Sequence, residues 1–340
     1  MTYEGEEPIE VNGYQVVAFK ESGTWTIPEG VSNVDVLVVA GGGSGCGGVS
    51  GDFWGGGGGA GEVKLVKDYD ISSLTSPITV TVGDGGSPVS SGGDSGNSGG
   101  NSVFDTVTSS GGQGSQKTVG GSSGSSNSGG SAGGGDGRSG GGGGGQSQSG
   151  SSWNGGDGVK DFTIDSTTYD FATLFGTANT GEEISGDYWY GGGGAGYDGD
   201  INQSGTPGKG GGAEAPRFST AAEGTPNTGG GGMERTDDSV GGTGGSGIVI
   251  IAYEEILGSG FISSTATING SLVEGATVRL INQSTNSYVG ETVTNASGEY
   301  TFEGLSEDDF YHVFGEYKDV SDDTFRSFSF PYVKPEVDEE

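Results

Sequence analysis

Glycine constrains this chain more than any other feature. It fills 79 of 340 positions, and 66 of those fall within the 205 residues from Gly41 to Gly245. That is close to one residue in three, against about 7% in ordinary proteins. Such a segment is either a floppy linker or an ordered glycine lattice. A collagen repeat is excluded, because Gly55–Gly59 and Gly140–Gly145 are uninterrupted runs rather than strict third positions. Apolar β runs bracket the glycine field. Val34-Asp-Val-Leu-Val-Val-Ala40 precedes it and Gly247-Ile-Val-Ile-Ile-Ala-Tyr253 follows it. Their placement implies that the first and last strands pair and close residues 14–253 into one ordered domain. Ordering glycine costs more backbone entropy than ordering any other residue, so something must compensate. Packed polyglycine-II-like segments do so: without side chains, backbones approach closely enough to hydrogen-bond one another.

Further strands are expected at residues 14–19, 62–66, 78–82 and 103–107, with a strand end and turn at Trp25–Val31. Residues 159–190 break the glycine pattern with Phe162, Tyr169, Phe171, Phe175 and Tyr188-Trp189-Tyr190, and read as an inserted excursion. Residues 255–261 read as a linker. Residues 262–333 alternate like a small β-sandwich, with Ala276, Val278 and Leu280 on one face and Tyr300 and Phe302 on one face of another strand. Residues 1–13 form an N-terminal arm and 334–340 an acidic tail. The fold class is therefore all-β: a strand frame closing a glycine-rich, extended region, followed by a transthyretin- or immunoglobulin-like sandwich.

The chain carries 46 acidic against 13 basic residues, a net charge of −33, and the excess runs through both halves. A local acidic tail would indicate a binding segment; a chain-wide excess indicates adaptation to salt. Such a chain repels itself in dilute buffer, while in 1 M salt the screening length falls to about 3 Å. No basic patch exists, which argues against nucleic-acid binding. The longest apolar runs are too short to cross a membrane. Met1-Thr-Tyr-Glu-Gly-Glu-Glu7 lacks the basic and apolar regions of a signal peptide. Cys46 is alone and forms no intrachain disulfide.

Five strings occur in order: Ser22-Gly-Thr-Trp-Thr-Ile-Pro28, Val34–Gly43, Gly55-Gly-Gly-Gly-Gly-Ala-Gly-Glu62, Thr79-Val-Thr-Val-Gly-Asp-Gly-Gly86 and Gly244-Gly-Ser-Gly-Ile-Val-Ile-Ile251. Together they resemble a glycine-rich domain of phage tail fibres and adhesins. The resemblance implies host-surface binding or a structural role at the periphery of a particle. Farther on, Ile268–Ile281 and Thr294-Asn-Ala-Ser-Gly-Glu-Tyr-Thr-Phe-Glu-Gly-Leu305 resemble carboxypeptidase-regulatory or transthyretin-like domains. Such domains serve as spacers, docking modules or adhesive units rather than catalysts.

Catalytic readings fare poorly. Gly43-Ser-Gly45-Cys-Gly-Gly48 matches a dinucleotide fingerprint, but five glycines follow where a helix must open. Gly205–Gly210 contains Gly-Lys without Walker spacing. His312 is the only histidine, so no triad or zinc set can be assembled around a second one. No enzyme activity and no cofactor are expected. Asp198, Asp200 and Asn202 have the oxygen spacing that opens a calcium loop, but Gln203 and Lys209 stand where an EF-hand needs glycine and glutamate. Only a loose calcium or magnesium site is conceivable there.

Aromatic residues flank the glycine runs. Trp54, Trp153, Tyr188, Trp189 and Tyr190, with Asp187 as a hydroxyl acceptor, are the candidate receptor-binding residues; the competing reading makes them lids or subunit contacts. The expected function is a virion surface protein (a tail fibre, turret or adhesin) acting in host attachment or particle decoration in high salt. It would be assembled in the host cytoplasm and act at the virion surface. Its expected partners are other virion proteins, a host cell-surface glycan or glycoprotein, and further copies of itself, with a trimer favoured. The alternative is a surface-layer or matrix protein of a halophilic cell.

Overall fold

The computed structural model describes residues 8–28, 30–47, 55–89, 94–116, 119–123, 143–178, 181–198, 203–214, 222–233, 241–254, 260–268, 271–283, 287–305, 309–319, 324–333 and 335. The chain divides into two compact units, Met1–Glu255 and Ile256–Glu340. Among the described residues the structure is all-β, and its one α-helix spans only Phe171–Phe175.

The larger unit is built on strands β1 (Ile9–Val11), β2 (Tyr14–Phe19), β3 (Gly23–Trp25), β4 (Asn33–Val39), β5 (Val63–Asp70), β6 (Ile78–Thr81), β7 (Ser102–Phe104) and β8 (Val107–Ser109). The excursion adds the hairpins β9–β10 (Asp161–Ile164, Thr167–Asp170) and β11–β12 (Glu182–Ile184, Asp187–Trp189). The pair β13–β14 (Tyr197–Asp198, Gln203–Ser204) and β15 (Ile248–Glu254) complete it. A central antiparallel sheet has the order β1-β2-β15-β4-β5, and a second sheet the order β3-β6-β7-β8. As the sequence implied, the closing run pairs with the opening one: Ile250 lies opposite Ala18 on one side and Leu37 on the other.

The central strands are apolar at successive positions because the sheet is covered on both faces. Val17, Phe19, Val36, Val38, Val249 and Ile251 pack toward the second sheet, around Trp25, Val80 and Phe104. Val16, Ala18, Leu37, Val39, Ile248 and Ile250 face the other way, onto Phe171, Phe175 and Tyr190 of the excursion. The excursion is thus the lid on one face of the sheet. Asp170 caps its short helix by accepting from the Thr173 N–H.

Two expectations are corrected. Ile9–Val11, assigned to an arm, is an edge strand of the central sheet, joined to β2 through a turn in which Asn12 and Gly13 both have positive φ. The segment expected as one strand at 103–107 is two strands reversing at Asp105, whose φ is 49°.

The glycine field forms a lattice of backbone columns with a repeat of three residues. In the column 40–47, the N–H groups of Ala40 and Gly43 reach Glu62 and Gly59. Those of Gly41, Ser44 and Gly47 reach Gly100, Asn97 and Asp94, and those of Gly42 and Gly45 reach Gly245 and Gly242. Its carbonyls accept from Gly112, Gly86, Gly232 and Ser115 in three further segments, so this column has six neighbours. The column 241–247 repeats the rule: Gly241, Gly244 and Gly247 donate to Val89, Gly86 and Gly83. Three residues per turn, with bonds radiating outward rather than along the chain, is the geometry of a polyproline-II-type helix.

Interatomic spacing, not backbone conformation, demands glycine here. A Cβ at Gly58 would lie 2.0 Å from the Gly43 oxygen, and one at Gly42 would lie 2.2 Å from the Gly230 oxygen, yet neither residue has positive φ. Serine is admitted where its hydroxyl replaces a lattice bond. Ser115 Oγ accepts from Cys46 N–H and donates to Gly56 O; Ser102 Oγ accepts from Gly83 N–H and donates to Val39 O.

The smaller unit has strands Gly260–Thr265 and Glu299–Leu305 paired together, and a four-stranded sheet ordered Ser287–Val293, Thr277–Asn282, Tyr311–Asp319, Thr324–Val333. Its core contains Ile262, Val278, Leu280, Tyr300, Phe302, Tyr311 and Val313, which include four of the five alternating positions picked out from the sequence; the fifth, Ala276, is buried as well.

Candidate functional site

The lattice has two unlike ends. At one, the columns run directly into β4, β5, β6, β7, β8 and β15. At the other, columns turn back: a two-residue turn joins Ser151 to Asn154, Gln116 bridges Val119, and β13 pairs with β14. Gly47 bonds Asp94 and Gly241 bonds Val89 at this same end. A small buried plug of Ala195, Tyr197, Ala213 and Met233 stiffens it.

Trp153 stands at the turning end. Ser151 and Asn154 exchange both backbone bonds, at 3.0 and 2.7 Å, with Ser152 at φ 48°. The Trp153 carbonyl accepts from the Gly196 N–H at 2.7 Å. The indole lies over Gly205, where an added Cβ would meet Cδ1 at 2.9 Å. Asn154 Oδ1 accepts from the Thr206 N–H at 2.8 Å. The result is a half-buried indole on a pinned turn, ringed by exposed Ser151, Ser152 and Asn154.

Tyr188, Trp189 and Tyr190 sit at the opposite end. The Gly196–Trp153 and Gly193–Gly156 bonds continue to the Tyr190–Val159 bridge. Six residues of such a helix span roughly 19 Å at about 3.1 Å each, so Trp153 and Tyr188–Tyr190 cannot share one site. Tyr190 is fully buried; its ring meets Phe171 at 5.7 Å and its hydroxyl accepts from the Gly181 N–H. That burial removes Tyr190 from any contact surface, a correction to the sequence reading. Tyr188 and Trp189 are half-buried, and Tyr188 packs against the lid core. Lys209 Nζ lies 4.7 Å from the Trp189 ring centroid, and the indole Nε1 is buried without a hydrogen-bond partner. Asp187 is engaged by Lys160 at 2.9 Å, and that hydrogen bond raises the Lys160 pKa.

Trp54, Asp200 and Asn202 lie outside the described residues. Asp198 is in β13, with its backbone opposite Gln203. Among the described residues no group of three or more His, Cys, Asp or Glu side chains is placed to hold a metal.

Two arrangements escaped the sequence reading. Gly210 and Gly211, both at positive φ, present adjacent N–H groups to Glu182 Oε2 at 2.6 and 2.9 Å. The Gly-Lys string thus does build an anion-binding nest, but its occupant is the chain's own carboxylate, 28 residues earlier. The lattice flank also carries more side chains than a glycine scaffold led us to expect. Ser95, Ser98 and Asn101, and likewise Ser110, Gln113 and Gln116, are exposed at every third position. The only signal for these rows was the spacing of polar residues between glycines.

The model of a glycine-rich domain family matches residues 18–254, and the chain belongs to that family. No curated protein matches the chain.

Proposed function

We propose that this is a structural attachment protein of a virus particle, working in concentrated salt. The observation that carries the reading is the polarity of the lattice: strands gather at one end, and pinned turns with a polar rim and an indole gather at the other. Such a scaffold holds loops rigidly while leaving their sequences free to vary, as binding loops require. Trp153, with the hydroxyls and amide around it, suits stacking on a sugar ring and bonding to its hydroxyls, so a host-surface glycan or glycoprotein is the proposed partner. Trp189, beside Lys209, is the weaker second candidate at the far end. The smaller unit, with its resemblance to transthyretin-like modules, is the proposed spacer or dock. The pervasive acidity supports the high-salt setting.

Trp153→Ala should lower adsorption of the particle to host cells by about fivefold to a hundredfold, the scale of one lost stacking contact of ~1–3 kcal/mol. Melting temperature and particle assembly should be unchanged. Undiminished adsorption with an intact particle rejects the role of Trp153. Finding the protein in a cell envelope and not in purified particles rejects the virion reading.

A further inference from the structure

The core of the smaller unit lies between unequal partners: a four-stranded sheet, and the strand pair Gly260–Thr265 with Glu299–Leu305. Residues directly opposite on neighbouring strands share a face. Val278 and Leu280 point into the core, and opposite them on Ser287–Val293 stand Thr292 and Gly290. That outer strand therefore turns a hydroxyl and a glycine inward, where a sandwich ordinarily places apolar side chains. A Cβ added at Gly290 would meet nothing within 4 Å. On the facing pair, Ser264 lies opposite Tyr300, whose ring is in the core. Ser264 thus also faces inward, yet it is exposed. The two walls do not close here. Between them is a cleft of about 550 Å³, inside the range of roughly 300–1,000 Å³ usual for small-ligand sites.

The cleft has a definite chemistry. Ser264, Thr265, Thr292 and Thr301 supply hydroxyls to its lining, and none of the lining residues is lysine, arginine or histidine. Its one carboxylate, Glu299, accepts from the Asn295 amide at 2.8 Å. Asn295 Oδ1 in turn accepts from the Ser297 and Glu299 N–H groups at 2.9 and 3.0 Å, which pins this rim. The Ser264 side chain hydrogen-bonds the Tyr300 hydroxyl. An anion finds no cation in this lining, and among the described residues no set of carboxylates is placed to hold a metal. In 1 M salt, charge attraction is screened beyond about 3 Å, so recognition there rests on hydrogen bonds and apolar contact. Each hydroxyl can both donate and accept, which matches the hydroxyls of a sugar. Exposed Val293, at the same cleft, offers an apolar patch to a sugar's C–H face.

We propose that this cleft binds an uncharged sugar unit of a glycan, through Thr292 and Ser264 on its two walls. The smaller unit is then a carbohydrate-binding module in its own right as well as a spacer. The proposal depends neither on Trp153 nor on the virion setting, and it assigns the smaller unit a ligand that the lattice loops do not need.

Saturation-transfer NMR on the 340-residue chain in about 2 M salt tests this, with glucose, galactose, mannose and N-acetylglucosamine as probes at millimolar concentration. Trp153→Ala serves as the background, so that the lattice indole contributes no signal. At least one probe should bind. Adding Thr292→Val, which removes the hydroxyl at nearly the same volume, should weaken that binding about two- to tenfold. Adding Thr292→Tyr instead fills the cleft with a residue that suits a strand, and should abolish binding. An unchanged circular dichroism melt confirms folding, and Thr292→Val keeps the test decisive if the larger residue disturbs the sandwich. Absence of binding by all four sugars overturns the proposal, as does binding that is equally strong in the folded Thr292 variants. Neither result bears on adsorption through Trp153, which is measured separately on particles.

Discussion

Gly58→Ala should be among the most damaging single-methyl substitutions in this chain. The new Cβ would sit 2.0 Å from the Gly43 oxygen, 2.6 Å from the Gly43 carbon and 2.9 Å from the Ser44 oxygen. Relief to ordinary contact requires the columns 40–47 and 56–62 to part by more than an ångström. The Gly43 N–H bond to Gly59, at 2.8 Å, and the Ala40 N–H bond to Glu62, at 3.0 Å, both cross that gap. Each buried backbone group left unpaired costs about 1–3 kcal/mol, and overpacking adds about 1–3 kcal/mol. Loss of one or two bonds therefore brings the total to roughly 3–6 kcal/mol, at the upper extreme for point substitutions. In a unit of this size that lowers the melting temperature by about 10 °C or more. Gly13→Ala is the control. Gly13 has φ +85° but nothing within 4 Å of its Cβ position, so only the backbone penalty of about 1–2 kcal/mol applies. Thermal melts in concentrated salt, followed by tryptophan fluorescence, compare the two. If Gly58→Ala costs no more than Gly13→Ala, close column packing is not what requires glycine.

Asp35→Ala should destabilise by about 3–5 kcal/mol, because it strands Lys67 in a pocket where both side chains are largely buried; chemical denaturation measures this. Gln146→Ala should cost about 1–3 kcal/mol, since the Gln146 amide both donates to the Val63 carbonyl and accepts from its N–H, taking the place of a neighbouring strand. Burial raises the Tyr300 pKa above its ordinary 10.0. The unfolded chain therefore ionises first, and the stabilising contribution is complete below pH 10 and lost as pH climbs toward the folded pKa. Tyr300→Phe should flatten the alkaline limb of the stability profile of the smaller unit. Melting in 0.1 M against 2 M salt should show lower stability in the dilute buffer, and equal melts would refute the halophilic reading.

The apolar runs at 34–40 and 247–253 were legible because a strand covered on both faces needs apolar residues at successive positions. The glycine field was legible as a lattice because no other fold accommodates runs such as Gly55–Gly59. The lid was legible only as a departure: Phe162, Phe171 and Phe175 follow no single period, so nothing in their spacing says which surface they cover. Tyr190 was misread because three adjacent aromatics look alike in sequence. At the end of β12 only Tyr190 is fully buried, while Tyr188 and Trp189 stay half-buried. The nest at Gly210 and Gly211 was invisible because its partner, Glu182, is contributed by a separate hairpin. Ile9–Val11 is too short to register as a strand until β2 is beside it.

The rotation of bonds through three neighbours has a consequence for how such a chain can change length. Adding one residue inside column 40–47 would turn every later N–H by a third of a revolution, toward the wrong column. Adding three restores each group to its partner's side and lengthens the column by one turn, about 9 Å. Antiparallel neighbours must then grow by the same amount to keep their bonds. Relatives should therefore differ in whole triplets within the columns, and by any number of residues where the columns turn back.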